Sequence, residues 1–308
     1  MPADERRQML WDAVAGLLAT ADLDSIVAHR LGSFEAWRRR QLRIPVPARL
    51  VREERVAAFG RATAVPLLER IRDACDAPLL LFKGPELARL YPLDTRPFGD
   101  LDLLTTDAAA VHRSLLAAGF QLEGADVPSE HHHLRPLRWP SSPLHVEVHA
   151  QPNWPRTLRG PAAGELFEAS VPSSFGIEGV AALSPAHHAV ICAVHGWQHR
   201  PLRVLRDLVD VAVTAVASDE RELGHTATAW GAGRIWDTTK ATCEALFEGA
   251  RRPLSLRTWA RSLPAMRPRG AAGIDAEALI SCFWSMRPAE ALAHDARLVR
   301  RRLGRRFR

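Results

Sequence analysis

The sequence predicts an α+β fold: a small core of strands and helices with helical regions on either side of it in the chain. Three observations carry this. Apolar residues recur at three- and four-residue spacing up to about residue 75 and again from about residue 153. Between those stretches the helical period breaks, with a continuous apolar run "LLLF" at 79–82 and alternating runs "DLDLL" at 100–104 and "HVEVH" at 145–149. The 308 residues, 47% apolar and 25% charged, match an ordinary globular chain of about two domains. The expected division is an N-terminal helical segment at 1–75, the core at 76–152, and a C-terminal helical domain with a basic tail at 153–308.

Taken in order, "MPADERRQMLWDAVAGLLAT" mixes both charges ahead of a short apolar face, so it reads as an amphipathic helix rather than a signal peptide. "LDSIVAHRLGSFEAWRRRQL" and "RLVREERVAAFGRATAVPLLERIRDAC" are helical by period, with the Pro-rich "RIPVPARL" as their linker. "APLLLFKG" is a buried strand ending at Gly84, "PELARLYP" a short helix opened by proline, and "FGDLDLLT" a second strand. "TDAAAVHRSLLAAGF" is a helix capped by Thr106 or Asp107 and stopped by Gly119. "HHHLRPLRW" and "SSPLHVEVHA" are two further strands, expected to be antiparallel. "SPAHHAVICAVHGWQHR", "PLRVLRDLVDVAVTAVA", "AWGAGRIWDTTKATCEALFEGA" and "DAEALISCFWSM" are the main helices that follow. No repeat of fixed period is present, and no run of about 18 apolar residues marks a membrane span.

Cysteine usage and charge narrow the setting. Cys75, Cys192, Cys243 and Cys282 are scattered without CxxC spacing, as expected of buried small residues in a reducing cytoplasm. Seven arginines fall in the last twelve residues, "RLVRRRLGRRFR", so without them the formal charge of +6 drops to about −1. That 297–308 tail is either a solvated helix end or a surface for RNA or another acidic partner. Of 41 basic side chains only Lys83 and Lys240 are lysines. Arginine serves almost everywhere a positive charge is used, so a lysine kept at 83 points to a need for a compact ammonium.

The chemistry concentrates around the two acidic strands. Residues i and i+2 of a strand share a face, so Asp100 and Asp102 project together and repel unless a cation or protons intervene. Glu147 alternates in the same way on the other acidic strand; if the two strands pair, three carboxylates meet. Such hard oxygen ligands suit Mg²⁺ or Mn²⁺ held jointly with substrate phosphates. Lys83 and Gly84 end the first strand before a helix, where backbone and ammonium can approach an anion, although Pro85 removes one donor. Arg96 is placed to contact a nucleotide or to order the loop through an ion pair. His131, His132 and His133 invite a zinc reading, but neighbours on a strand point oppositely and no cysteine is near. The expectation is a polar strand edge with His133 reaching substrate. His149 shares the face of Glu147 and is a candidate to line the pocket. His195, His199, Arg203 and Asp207 step by four, which on an unbroken helix forms a stripe; Pro201 is positioned to split it. His195, His199 and Asp207 are candidates to meet the acceptor or nucleotide, the alternative being that they tie the helical region to the core. Trp154, Trp197 and Trp236 are expected in packing.

Together, "LLLFKGPELARLYPLDTRPFGDLDLL" and "VEVHAQPNW" resemble the nucleotidyltransferase superfamily with the DNA polymerase β-type core. They look most like an uncharacterised bacterial branch whose first motif reads Leu-Lys-Gly, and "VHGWQHRPLRVLRDLVDV" resembles the helical region that follows in that branch. The resemblance spans roughly 49–215. It implies a mixed sheet with helices on one side, with catalytic and metal-binding roles for Asp100, Asp102 and Glu147 and nucleotide contacts from Lys83, Gly84 and Arg96. The broader superfamily has a glycine-serine pair where this chain has Lys83-Gly84. The implied reaction is two-metal, in-line transfer of a nucleoside monophosphate from an NTP to an acceptor hydroxyl on a small molecule, a peptide or protein, or an RNA end. The alternatives are a non-catalytic nucleotide-binding scaffold and an RNA-directed enzyme using the arginine tail.

Overall fold

The computed structural model describes residues 2–93, 95–124 and 133–306, excepting the side chains of His199 and residues 298–306. Helices α1 (Ala3–Ala19), α2 (Leu23–Ala28), α3 (Gly32–Gln41) and α4 (Ala48–Ala74) open the chain. Asp22 caps α2 by accepting from the Ser25 N–H at 2.8 Å, and Arg30, at φ +59°, ends it. Residues 23–42 therefore form two helices rather than one.

The sheet follows: β1 (Leu79–Phe82), α5 (Gly84–Ala88), β2 (Asp100–Leu104), α6 (Ala108–Ala117), β3 (Gln121–Leu122), β4 (Leu137–Arg138) and β5 (His145–His149). After α7 (Ala163–Glu168), strands β6 (Val171–Pro172) and β7 (Val180–Ala182) complete a seven-stranded mixed sheet of order β3-β4-β5-β2-β1-β7-β6. Two differences from the sequence reading stand out. The sheet continues past residue 152, because β7 pairs in parallel with β1, Leu80 opposite Ala181. Strands of two or three residues show too little alternation to read as strands. "HHHLRPLRW" shrinks to two paired residues plus a single bridge between His133 and His149. His131 and His132 lie outside the described residues.

The faces of the sheet divide the core. Leu79, Leu81, Leu101, Leu103, Val146 and Val148 pack with Leu68 and Ile71 of α4 and Val111 and Leu115 of α6. Each of these fully buried aliphatic side chains contributes about 1.5–3 kcal/mol of hydrophobic stabilisation. Leu80, Phe82 and Leu104 point the other way, into a second core with α1, α8 (Pro185–His199), α9 (Leu205–Ala215) and α11 (Gly233–Phe247). Between and beyond these lie α10 (Glu220–Ala229), α12 (Leu254–Arg257), α13 (Ala271–Ile280), α14 (Cys282–Ser285) and α15 (Pro288–Arg306). No helix of the described residues is long and apolar enough to cross a membrane. The four cysteines are free, three of them buried.

Pro201 and Leu202 (φ +54°) separate α8 from α9, so the expected four-step stripe from His195 to Asp207 does not run along one helix. The break matters for the site: it turns the start of α9 toward the polar end of the second sheet face, where β1 stops and β2 begins.

Candidate active site

Strand register builds the centre. β2 pairs in parallel with β5, Asp102 opposite Glu147 and Leu104 opposite His149, and antiparallel with β1, Phe82 opposite Asp102. Partners in register share a face, so Asp100, Asp102, Glu147 and His149 emerge on one patch. His149 is 1% exposed and its Nε2 lies 2.9 Å from Asp102 Oδ1 and 3.5 Å from Glu147 Oε2. Carboxylates only accept when ionised, so this nitrogen carries the proton. Phe82 and His133 pack edge-on against the imidazole, with centroids at 5.1 and 5.3 Å.

The electrostatics follow from burial. It would raise Asp102, yet the Lys83 ammonium at 3.3 Å and the His149 hydrogen bond hold its carboxyl well below the usual range. The same burial opposes His149, whose bonds to Asp102 and Glu147 lift it above its ordinary value. Glu147 is half-buried, which would raise it, but the His149 bond keeps it low. For Asp100, burial, then the charges of Asp102 and Glu147, outweigh Lys83 and Arg96 and push it up to about 6. This is a carboxylate cluster short of positive charge. Ligand atoms of Asp102, Glu147 and His149 lie within 4.8 Å of one another. The carboxylates of Asp102 and Glu147, with Asp100 on the same face and His149 donating to the pair, fit a divalent cation.

Lys83 and Gly84 are set by backbone. Lys83 takes φ +55°, ψ −137°, and donates its N–H to His188 Nε2 at 3.0 Å. Gly84 (φ +32°) passes so near β2 that a Cβ would lie 2.9 Å from the Asp100 carbonyl oxygen. Glycine is therefore what allows this turn to lie against the aspartate strand.

Arg96 takes the loop-ordering contact. Its Nε and Nη2 reach Asp210 Oδ1 and Oδ2 at 2.7 and 2.8 Å, and Nη1 donates to the Gly84 carbonyl at 3.2 Å. Tyr91, the single tyrosine, donates to Asp210 Oδ1 at 2.6 Å. Asp210 on α9 is thereby tied to the turn holding Lys83.

Lys83, Gly84, Arg96, Asp100, Asp102, His133, Glu147, His149, His195 and Asp207 all line one cleft of about 640 Å³. The His199 side chain lies outside the described residues. A family model described as uncharacterised nucleotidyltransferase, NTP_transf_5, matches residues 7–248. The chain belongs to this family. No curated protein matches it. Among solved structures, the solution structure of antibiotic-resistance factor ANT(2'')-Ia is similar, with 14% identity and a TM-score of 0.37, over 55% of this chain and 91% of that one.

In this nucleotidyltransferase the cleft also holds residues that sequence reading passed over: Arg30, Arg206 and Asp210. One signal was present for Asp210, an acid inside the apolar run "LVDVAV". A buried carboxylate needs a partner, and the partner is 114 residues away.

Proposed function

We propose that the protein transfers a nucleoside monophosphate from an NTP to an acceptor hydroxyl, on a small molecule, a peptide or protein, or an RNA end. The observation that carries this is the register of β2 with β5, which brings Asp100, Asp102 and Glu147 to one patch beside Lys83. Family membership supports the reaction class.

Asp100, Asp102 and Glu147 would hold Mg²⁺ or Mn²⁺, which when bound supplies Lewis-acid neutralisation of phosphate charge and a lowered acceptor-hydroxyl pKa. The chain's own groups do the positioning. His149 donates to Asp102 and fixes the orientation of the carboxylate pair, with Phe82 holding the ring. Lys83 sets a compact positive charge beside Asp102, where phosphate oxygens would approach. The Arg96–Asp210 pair keeps the Lys83–Gly84 turn in place through the Gly84 carbonyl. The wall from α8 and α9 faces the sheet across the cleft and limits water at the reacting phosphorus.

The test is incubation with each NTP labelled at the α-phosphate, a divalent cation and a panel of acceptors. Label should move to an acceptor with wild type, stop with excess EDTA, and fall at least about 10³-fold in Asp100→Ala/Asp102→Ala. Nucleotide binding without transfer across the panel would favour the scaffold reading.

A further inference from the structure

The Lys83–Gly84 turn has few donors left for an anion. The Lys83 amide is committed to His188, and Pro85 has no N–H. Helix α5 has only five residues. Yet beyond the Arg96–Asp210 pair the cleft collects positive charge: Arg30, Arg200, Arg203 and Arg206 line it.

That wall is built by specific contacts. The Leu205 N–H donates to His29 Nδ1 at 3.3 Å and the Arg206 N–H to the His29 carbonyl at 3.4 Å, joining the start of α9 to the turn that carries Arg30. Arg269 Nη2 donates to the Pro201 and Leu202 carbonyls at 3.0 and 2.6 Å, fixing the turn between Arg200 and Arg203. Arg206 is the decisive member. Its side chain is 16% exposed, its ion-pair contact with Asp207 is long at 3.9 Å, and its buried Nε has no hydrogen-bond partner among the described residues. Burial, with Arg96 and Arg30 nearby, holds this guanidinium below its ordinary pKa. An Nε–H so placed lacks an acceptor among the described residues, and a phosphate oxygen supplies one.

Sheet order gives the direction. β5, β2 and β1 are successive neighbours, so Glu147, the Asp100–Asp102 pair and the Lys83–Gly84 turn follow one another across the cleft. Arg96, bonded to Gly84, continues that row to Asp210 and the start of α9. The arginines thus stand at the Gly84 end, away from Glu147.

We propose that Arg30, Arg203 and Arg206 grip the β- and γ-phosphates of the donor nucleotide, replacing the backbone amides that the Lys83–Gly84 turn does not offer. The nucleotidyl-transfer reading supplies the identity of that phosphate chain as the donor's. The wall is then also where pyrophosphate rests before release.

Titration calorimetry on the full chain, free of divalent cations, tests this with adenosine mono-, di- and triphosphate and inorganic tripolyphosphate. Wild type should bind tripolyphosphate alone and prefer the triphosphate over the monophosphate by about ten-fold or more. Arg206→Met should remove most of that preference, and Arg206→Lys should retain part of it. Arg30→Met and Arg203→Met, at exposed positions, give the same readout should Arg206→Met fail to fold. A preference unchanged in these variants, or a wild type indifferent to phosphate number, overturns the inference. So does arginine-dependent binding of a 5′-phosphorylated oligonucleotide with the donor series unaffected. The two readings fail separately. A flat phosphate series with label transfer intact removes the wall alone, whereas an arginine-dependent series without label transfer removes nucleotidyl transfer alone.

Discussion

Lys83 occupies φ +55°, ψ −137°, a region glycine enters freely and other residues enter at a cost of about 1–3 kcal/mol. A strained lysine kept between a strand and a glycine indicates that its ammonium is needed beside Asp102. Lys83→Gly relieves that strain but strips the buried Asp102 carboxylate of its ammonium, so it should cost about 1–4 kcal/mol in denaturant unfolding while lowering label transfer; a variant more stable and fully active would remove the assignment. His188 is the second residue with a measurable signature. It accepts from the Lys83 amide, and burial followed by the Arg96 charge pulls its pKa from 6.5 to about 3. Above pH 6.5 folded and unfolded chains both carry a neutral imidazole. As pH falls from 6.5 toward 3, only the unfolded chain takes the proton, so stability is lost across that window. The loss should reach about 3 kcal/mol by pH 4.5, read from urea midpoints. His188→Gln, which keeps an acceptor without a titrating group, should flatten it. Asp100, Asp102, Glu147 and Lys83 were legible because alternation and lysine scarcity are local signals. His188 was not, since its role is visible only once α8 lies against β1.

Between elements, two contacts hold the site. The first is the approach of the Lys83–Gly84 turn to β2. Gly84→Ala places a Cβ 2.9 Å from a backbone oxygen, so the turn must move off the aspartate strand. The expected outcome is a loss of about 1–3 kcal/mol together with a fall in transfer, checked by paired unfolding and activity measurements. The second joins α9 to the core through Asp210, which accepts from Tyr91 and both sides of the Arg96 fork. Asp210→Asn leaves a buried guanidinium without its counter-charge and should cost about 3–5 kcal/mol. Tyr91→Phe removes a single bond from a carboxylate still held by Arg96 and should cost about 1–1.5 kcal/mol. The reverse order of these two losses would show that the pair is not what docks α9. Neither contact was legible in the chain. An ion pair separated by 114 residues has no periodicity, and the stripe inferred from His195, His199, Arg203 and Asp207 assumed a helix that Pro201 and Leu202 divide. Strands β6 and β7, too short to alternate, were missed for the same reason of scale, whereas the longer helices and β1, β2 and β5 announced themselves.

Across the whole molecule, the N-terminal segment and the C-terminal helices are not packed apart. Leu10, Trp11 and Val14 of α1 share a core with Leu208 of α9 and Ile235 and Trp236 of α11, while α4 covers the opposite sheet face. The sheet's polar end is left between these layers as a cleft with carboxylates on one wall and arginines on the other. That arrangement suits transfer of the nucleotide at its α-phosphorus. The most direct measurement is the intact mass of an acceptor after reaction, together with the identity of the released phosphate. Nucleotidyl transfer should give a gain of one nucleoside monophosphate and one equivalent of pyrophosphate, both absent with Asp100→Ala/Asp102→Ala. A gain of a single phosphoryl group with release of nucleoside diphosphate would contradict it and make the protein a kinase.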